Sequence, residues 1–180
     1  MRIVGGKYRH RLIVYPDDAT HTRPTKDRVR EAIFSAVGDI TNYNVLDLYA
    51  GSGAMGIEAL SRGASHCVFV DNSVIAIKTI KENVTNLKIP NEEYEIIKNR
   101  DLIALDLLQQ KFDLIILDPP YEEGQYELIV DLLKEKDLLS ENAIIVMEAN
   151  RPIILENIDY KKNKEYHYGE IMVFIYWREL

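Results

Sequence analysis

Asp118-Pro119-Pro120-Tyr121 places a carboxylate, a carbonyl between two rigid rings and an aromatic side chain within four residues. Consecutive prolines restrict φ, so the Pro119 carbonyl can be held beside the Asp118 carboxylate. Two such acceptors can take both hydrogens of a base's exocyclic amino group. That contact orients the nitrogen lone pair toward an electrophilic methyl and stabilises the positive charge that develops during attack. Tyr121 can stack on the flat face of the base. In isolation the tetrapeptide could merely end a strand, with Tyr121 packed on the surface, so its meaning depends on what lies beside it.

A second constellation begins at Asp47, where Asp47-Leu48-Tyr49-Ala50-Gly51-Ser52-Gly53-Ala54-Met55-Gly56 carries G-x-G-x-x-G. Glycines there permit a sharp turn and close approach of a ligand to the backbone. Asp71 follows Gly51 by twenty residues, at the interval where a carboxylate accepts hydrogen bonds from the hydroxyls of an adenosine ribose. A dinucleotide-binding domain would show the same glycines and the same acid. Asp47 separates the two cases, because a carboxylate at that strand position would repel a pyrophosphate. S-adenosylmethionine carries an α-ammonium and a sulfonium and no phosphate, which suits an acid at that point. Asp47 can also bond loop amides, and the two roles are compatible.

These groups need a scaffold that brings them together. Apolar runs at Val45–Tyr49, Cys67–Asp71, Tyr94–Lys98 and Asp113–Leu117 alternate with helical patterns from Ala54, from Ser73, near Leu102–Leu108 and around Tyr126–Leu133. Such alternation predicts a parallel sheet with helices on both faces. Ala143–Met147 adds a buried strand, and Tyr160–Tyr166 and Ile171–Trp177 add two more. The short connection between the final pair requires the last strand to lie antiparallel. In open sheets of this kind, ligands bind beyond the strands' carboxyl ends where strand order reverses, here between the first and fourth strands. The glycine loop and Asp118–Tyr121 would then be neighbours. Upstream, Gly5-Gly6 predicts a short hairpin between Ile3-Val4 and Tyr8–Val14, followed by a helix from Thr25 to about Val37 with Thr25 as its cap. Arg28 and Arg30 flank the apolar stripe of that helix.

The 180 residues suffice for one α/β domain with a sizeable core. No run approaches the roughly 18 apolar residues that a spanning helix needs, and the first dozen residues lack a signal-peptide core. One cysteine, Cys67, and four scattered histidines offer neither a disulfide nor a zinc-spaced ligand set, so no metal is expected and the chain reads as cytoplasmic. Net charge is −7, but residues 1–30 hold eight Lys/Arg against three Asp, a balance of +5, and the remainder stands at −12. An acidic body with a basic arm suits a protein that meets a polyanion along one edge; a merely solvated N-terminus would show the same balance.

Taken together, these motifs resemble the class I methyltransferases that use S-adenosylmethionine, and specifically the bacterial family that methylates the exocyclic N2 of one guanine in 16S ribosomal RNA. The resemblance covers nearly the whole chain. It includes Met1-Arg2-Ile3-Val4-Gly5-Gly6, Thr22-Arg23-Pro24-Thr25-Lys26-Asp27-Arg28-Val29-Arg30-Glu31-Ala32, Leu46–Gly53, Ser61-Arg62-Gly63-Ala64 and Asp118–Tyr121. It departs at Ser35, where the family often has Asn, at Asp71, where Glu is frequent, and at Leu102, where a small residue is usual.

The resemblance implies a Rossmann-like α/β fold with a mostly parallel seven-stranded sheet. Residues 1–38 would form a basic hairpin and helix extension, and residues 39–180 the catalytic core of a single domain. It implies that Asp47, Gly51 and Gly53 hold the methionine half of the cofactor, Asp71 and Asn72 the ribose, and Asp101 with Arg100 the adenine end. An Asp after the third strand is also an ordinary helix cap. Asp118, Pro119, Pro120 and Tyr121 would be catalytic, and Arg2, Arg23, Thr25 and Arg28 would contact RNA in a partly assembled small ribosomal subunit. Two other readings remain open: a DNA adenine-N6 or cytosine-N4 methyltransferase, and a non-catalytic nucleotide-binding module.

Overall fold

The computed structural model describes residues 1–15, 27–122 and 124–179. Arg23 and Thr25, with the expected helix cap, lie outside the described residues. The strands are β1 (Asn44–Leu48), β2 (His66–Asp71), β3 (Tyr94–Lys98), β4 (Phe112–Leu117), β5 (Leu139–Ala149), β6 (Tyr160–Tyr168) and β7 (Ile171–Arg178). The helices are α1 (Asp27–Val37), α2 (Ala54–Ser61), α3 (Val74–Asn86), α4 (Asp101–Leu107) and α5 (Tyr126–Glu135). One sheet takes the order β3-β2-β1-β4-β5-β7-β6. β1 to β5 are parallel, and β7 lies antiparallel between β5 and β6. Strand order therefore reverses between β1 and β4, as the alternation of elements implied.

The central strands are apolar on both faces because both faces are covered. On one side Val45, Phe69, Ile116, Val146 and Val173 pack with α1, α2, α3 and the N-terminal segment; on the other Leu46, Val70, Leu117, Ile145 and Phe174 pack with α4 and α5. Gly56 shows how closely the first layer is laid down. A Cβ there would stand 2.4 Å from the Phe69 ring and 2.6 Å from the Cys67 sulfur, so only glycine lets α2 approach β2 this far.

The N-terminal hairpin differs from expectation. Arg2 bridges Leu12, with Ile3 N–H donating to the Arg11 carbonyl and Ile13 N–H to that of Met1, so pairing sits at residues 1–3 and 11–13 around a wide loop. The loop's amides go elsewhere. Val4 and Gly5 donate to the Glu58 carboxylate, Lys7 to the Ser61 carbonyl and Tyr8 to the Ser61 hydroxyl. Gly6, at φ +75°, would put a Cβ 1.8 Å from the Ser61 carbonyl oxygen. Gly5-Gly6 thus serves less as a tight reversal than as the point where the arm seats on the end of α2. Arg30, counted above with the basic arm, is fully buried and bonds Glu58 at 3.2 Å.

Candidate active site

The register Leu48↔Leu117 between β1 and β4 sets the two motifs side by side at the sheet's carboxyl edge. Leaving β1, the chain turns through Tyr49 (φ +73°), Gly51 (φ +56°) and Gly53 (φ +79°) before entering α2. Amides of Tyr49 and Ala50 both donate to the Val70 carbonyl, which ties the loop to β2. Asp71 holds the other side. One of its carboxylate oxygens accepts the Gly51 N–H at 2.9 Å and the other the Ser73 N–H at 2.8 Å, and the residue remains half-exposed. Asn72 and Arg100 are exposed along the same edge. Asp101 begins α4, accepts the Leu102 N–H and receives the Tyr49 hydroxyl at 2.5 Å, so it braces the glycine loop as well as its own helix.

Asp47 is 2% exposed, and its carboxylate accepts the Gly56 N–H at 2.9 Å. Burial pushes its carboxyl up to about 7; the Gly56 amide opposes the rise and the neighbouring charge of Asp71 adds to it. A buried acid beside a second acid disfavours anions and is relieved by a cation, which fits the ammonium and sulfonium of S-adenosylmethionine and does not fit a pyrophosphate. Because the folded carboxyl holds its proton more tightly than the unfolded one, near 3.9, its contribution to stability is full below pH 4 and is lost as pH rises through 7. Asp47→Asn keeps an acceptor for Gly56 without the charge. It should therefore gain stability relative to the parent between pH 5 and pH 8, on the order of 3 kcal/mol at the upper end. Urea unfolding at the two pH values checks this. Identical pH slopes in parent and variant would exclude Asp47 as the titrating group.

At the end of β4, Asp118 is half-buried, Pro119 buried, Pro120 exposed and Tyr121 half-buried. The Tyr121 hydroxyl donates to Glu148 Oε1 at 3.1 Å, and the Tyr126 hydroxyl to the Glu148 carbonyl at 2.6 Å. Glu148 lies on β5, on the side of β4 opposite β1, so the Tyr121 hydroxyl is tethered on the side of Asp118 away from the glycine loop. Burial, then the charge of Asp118, pushes the Tyr126 phenol up. Arg151 fastens this loop from outside by pairing with Glu127 at 2.9 Å and bonding the Gly124 carbonyl.

Arg2 and Arg28 are exposed on the hairpin and α1. Sequence reasoning missed Tyr49, Glu148 and Asn83. The Asn83 side chain, 1% exposed, accepts from Val14 N–H and donates to the Val14 and Ser52 carbonyls, so it clasps the end of the hairpin to the glycine loop. The signals were present: Asn83 shares the buried helical stripe of Ile80 and Val84, and Glu148 is an acid near the carboxyl end of an apolar strand, as Asp71 is in β2 and Asp118 just beyond β4.

Comparison with known proteins agrees with this geometry. The family described as Conserved hypothetical protein 95 matches residues 1–177. Ribosomal RNA small subunit methyltransferase D of Escherichia coli K12 is 31% identical over 99% of this chain and 90% of its own length. YlbH of Bacillus subtilis is 38% identical over 98% of both chains. The solved structure of yhhF from Escherichia coli superposes with a TM-score of 0.83 at 30% identity, covering 99% of this chain and 98% of that one. With the fold, the glycine loop and the Asp-Pro-Pro-Tyr edge in place, the chain belongs to the Conserved hypothetical protein 95 family, that of the small-subunit ribosomal RNA methyltransferases D.

Proposed function

We propose that the protein transfers a methyl group from S-adenosylmethionine to the exocyclic N2 of a guanine in 16S ribosomal RNA. The observation that carries this reading is the juxtaposition, across the β1–β4 register, of a glycine loop backed by a buried acid with Asp118–Tyr121. The rRNA methyltransferase names of relatives supply the acceptor class. S-adenosylmethionine supplies, when bound, an electrophilic methyl on a sulfonium that departs as a neutral thioether. Asp47, Gly51 and Gly53 would hold its methionine half, Asp71 and Asn72 its ribose, and Asp101 with Arg100 its adenine. Asp118 and the Pro119 carbonyl accept the two amino hydrogens, which aligns the nitrogen and counters its developing charge. The Asp118 carboxylate then stands beside the proton that must leave. Pro120 keeps the turn rigid, and Tyr121, tethered through its hydroxyl, presents a stacking face. Arg2 and Arg28, with Arg23 and Thr25 of the adjoining segment, would contact RNA phosphates of the small subunit.

Incubation with labelled S-adenosylmethionine and either undermodified 16S RNA or small subunits lacking late modifications tests the reading. Mass spectrometry of the nucleosides should show N2-methylguanosine as the sole labelled product. Methylated adenine or cytosine would replace the proposed acceptor. Calorimetric affinity for NAD with none for S-adenosylhomocysteine would remove the methyl-transfer reading altogether.

A further inference from the structure

We propose that the edge strand β6 is the track for the RNA that flanks the acceptor base; the inference rests on the RNA-methylating reading above. The sheet register leads to it. Leu117↔Met147 sets Asp118 beside Glu148, Glu148 pairs with Val173, and Val173 pairs with Tyr166. One row therefore runs from the acceptor site to β6, three strand spacings or about 14 Å away. The face is also shared. Val173, Ile175 and Trp177 lie in the core layer of α1 and the hairpin, and their register partners Tyr166, Lys164 and Lys162 stand on that side of β6, with Tyr168 next along. Arg2 and Arg28 project from the elements packed on the same layer.

Its chemistry fits a single-stranded polyanion. Beyond residue 30 the chain has a net charge of −12, yet β6 holds three lysines against one glutamate. That glutamate, Glu165, faces the other way, opposite Phe174, and pairs with His167. Toward the hairpin side the strand presents only Lys162, Lys164, Tyr166 and Tyr168. The Tyr166 and Tyr168 rings are half-exposed and stacked, 6.5 Å between centroids and 22° from parallel. Aromatic faces beside spaced cations are the elements by which proteins hold unpaired nucleotides. Lysines on an edge strand also discourage pairing with a second sheet, and the test must separate the two uses.

The experiment compares the full-length protein with Lys162→Gln/Lys164→Gln, using the 16S RNA acceptor of the methylation assay between 50 and 200 mM salt. The double variant should bind RNA roughly tenfold more weakly near 0.1 M salt, with the slope of log affinity against log salt reduced by about 1.4 to 1.8. Affinity for S-adenosylhomocysteine should stay unchanged. Trp177, the sole tryptophan, reports independently, since Lys162 Nζ stands 4.4 Å from its ring centroid. RNA should alter its emission in the parent and not in Lys162→Gln. An unchanged affinity and slope in the double variant overturns the proposal, and so does a variant that dimerises while binding RNA normally, because the lysines would then guard the edge only. A parent protein that neither binds nor methylates the RNA defeats the underlying reading instead.

Discussion

Asp118→Ala should reduce turnover by roughly 100- to 1000-fold while leaving the fold and the affinity for S-adenosylhomocysteine nearly unchanged. The carboxylate stands at the end of β4, half-buried and beside the glycine loop across the β1–β4 register, where the proposed reaction needs an acceptor for the amino group. In the proposed reaction its loss removes one of two acceptors whose value rises as charge develops on nitrogen, so the effect belongs to turnover rather than to ground-state binding. The fold should survive because the strand below it is fixed by Leu114, Ile116 and Leu117, all buried, and because the following loop is fastened through Tyr126 to the Glu148 carbonyl. Asp118→Asn retains an oxygen that can accept one hydrogen bond and should fall between parent and Ala variant. Single-turnover kinetics with saturating acceptor distinguish a chemical defect from weaker binding. Near-normal turnover in Asp118→Ala would remove Asp118 from the reaction.

The parts of this site that could be foreseen are those encoded by local period. The run Asp113–Leu117 reads as a strand because apolar residues fill both of its faces, and Asp118-Pro119-Pro120 ends it because proline cannot extend the ladder. The helix from Ser73 could be placed because its hydroxyl caps the first turn, where it accepts the Ala76 N–H. Adjacency of β1 and β4 then follows from the strand-order reversal of open doubly wound sheets. Contacts that depend on a tertiary partner carried no such period. Glu58 within Ala54–Ser61 looks like one charge on a helix, and nothing nearby reveals that its partners are Arg30 and the amides of residues 4 and 5. The turn through Tyr49 is similar. Its positive φ is tolerated because its amide is bound to Val70 and its hydroxyl to Asp101, fifty-two residues away. Arg30 misleads most, since counting charges assigns it to the exposed arm whereas geometry buries it.

That burial leads to the second large effect, a stability loss of about 3 to 5 kcal/mol on Glu58→Ala. Glu58 is fully buried and accepts four donors: Val4 N–H, Gly5 N–H, Arg30 Nε and Arg62 Nε, at 2.9, 2.8, 3.2 and 2.8 Å. Removing the carboxylate leaves the guanidinium of Arg30 in the core with Asp27 as its remaining ion-pair partner among the described residues, and takes the acceptor from two loop amides. At about 2 to 4 °C per kcal/mol for a chain of this size, the midpoint of thermal unfolding should drop by roughly 6 to 20 °C. Arg30→Met in the Glu58→Ala background should recover part of the loss, because a buried guanidinium that has lost its buried carboxylate partner causes more of it than the missing contact. The arm should respond before the core does. Among the described residues the polar contacts that seat the hairpin centre on Glu58, Ser61 and Asn83, beside the buried Ile3 and Ile13, so below the new midpoint Glu58→Ala should expose residues 1–15 to protease while the cofactor still binds. RNA affinity should then fall more than affinity for S-adenosylhomocysteine, because Arg2, proposed above as an RNA contact, stands on the released hairpin. A midpoint within 2 °C of the parent would show that the buried ion pair does not hold the arm in place.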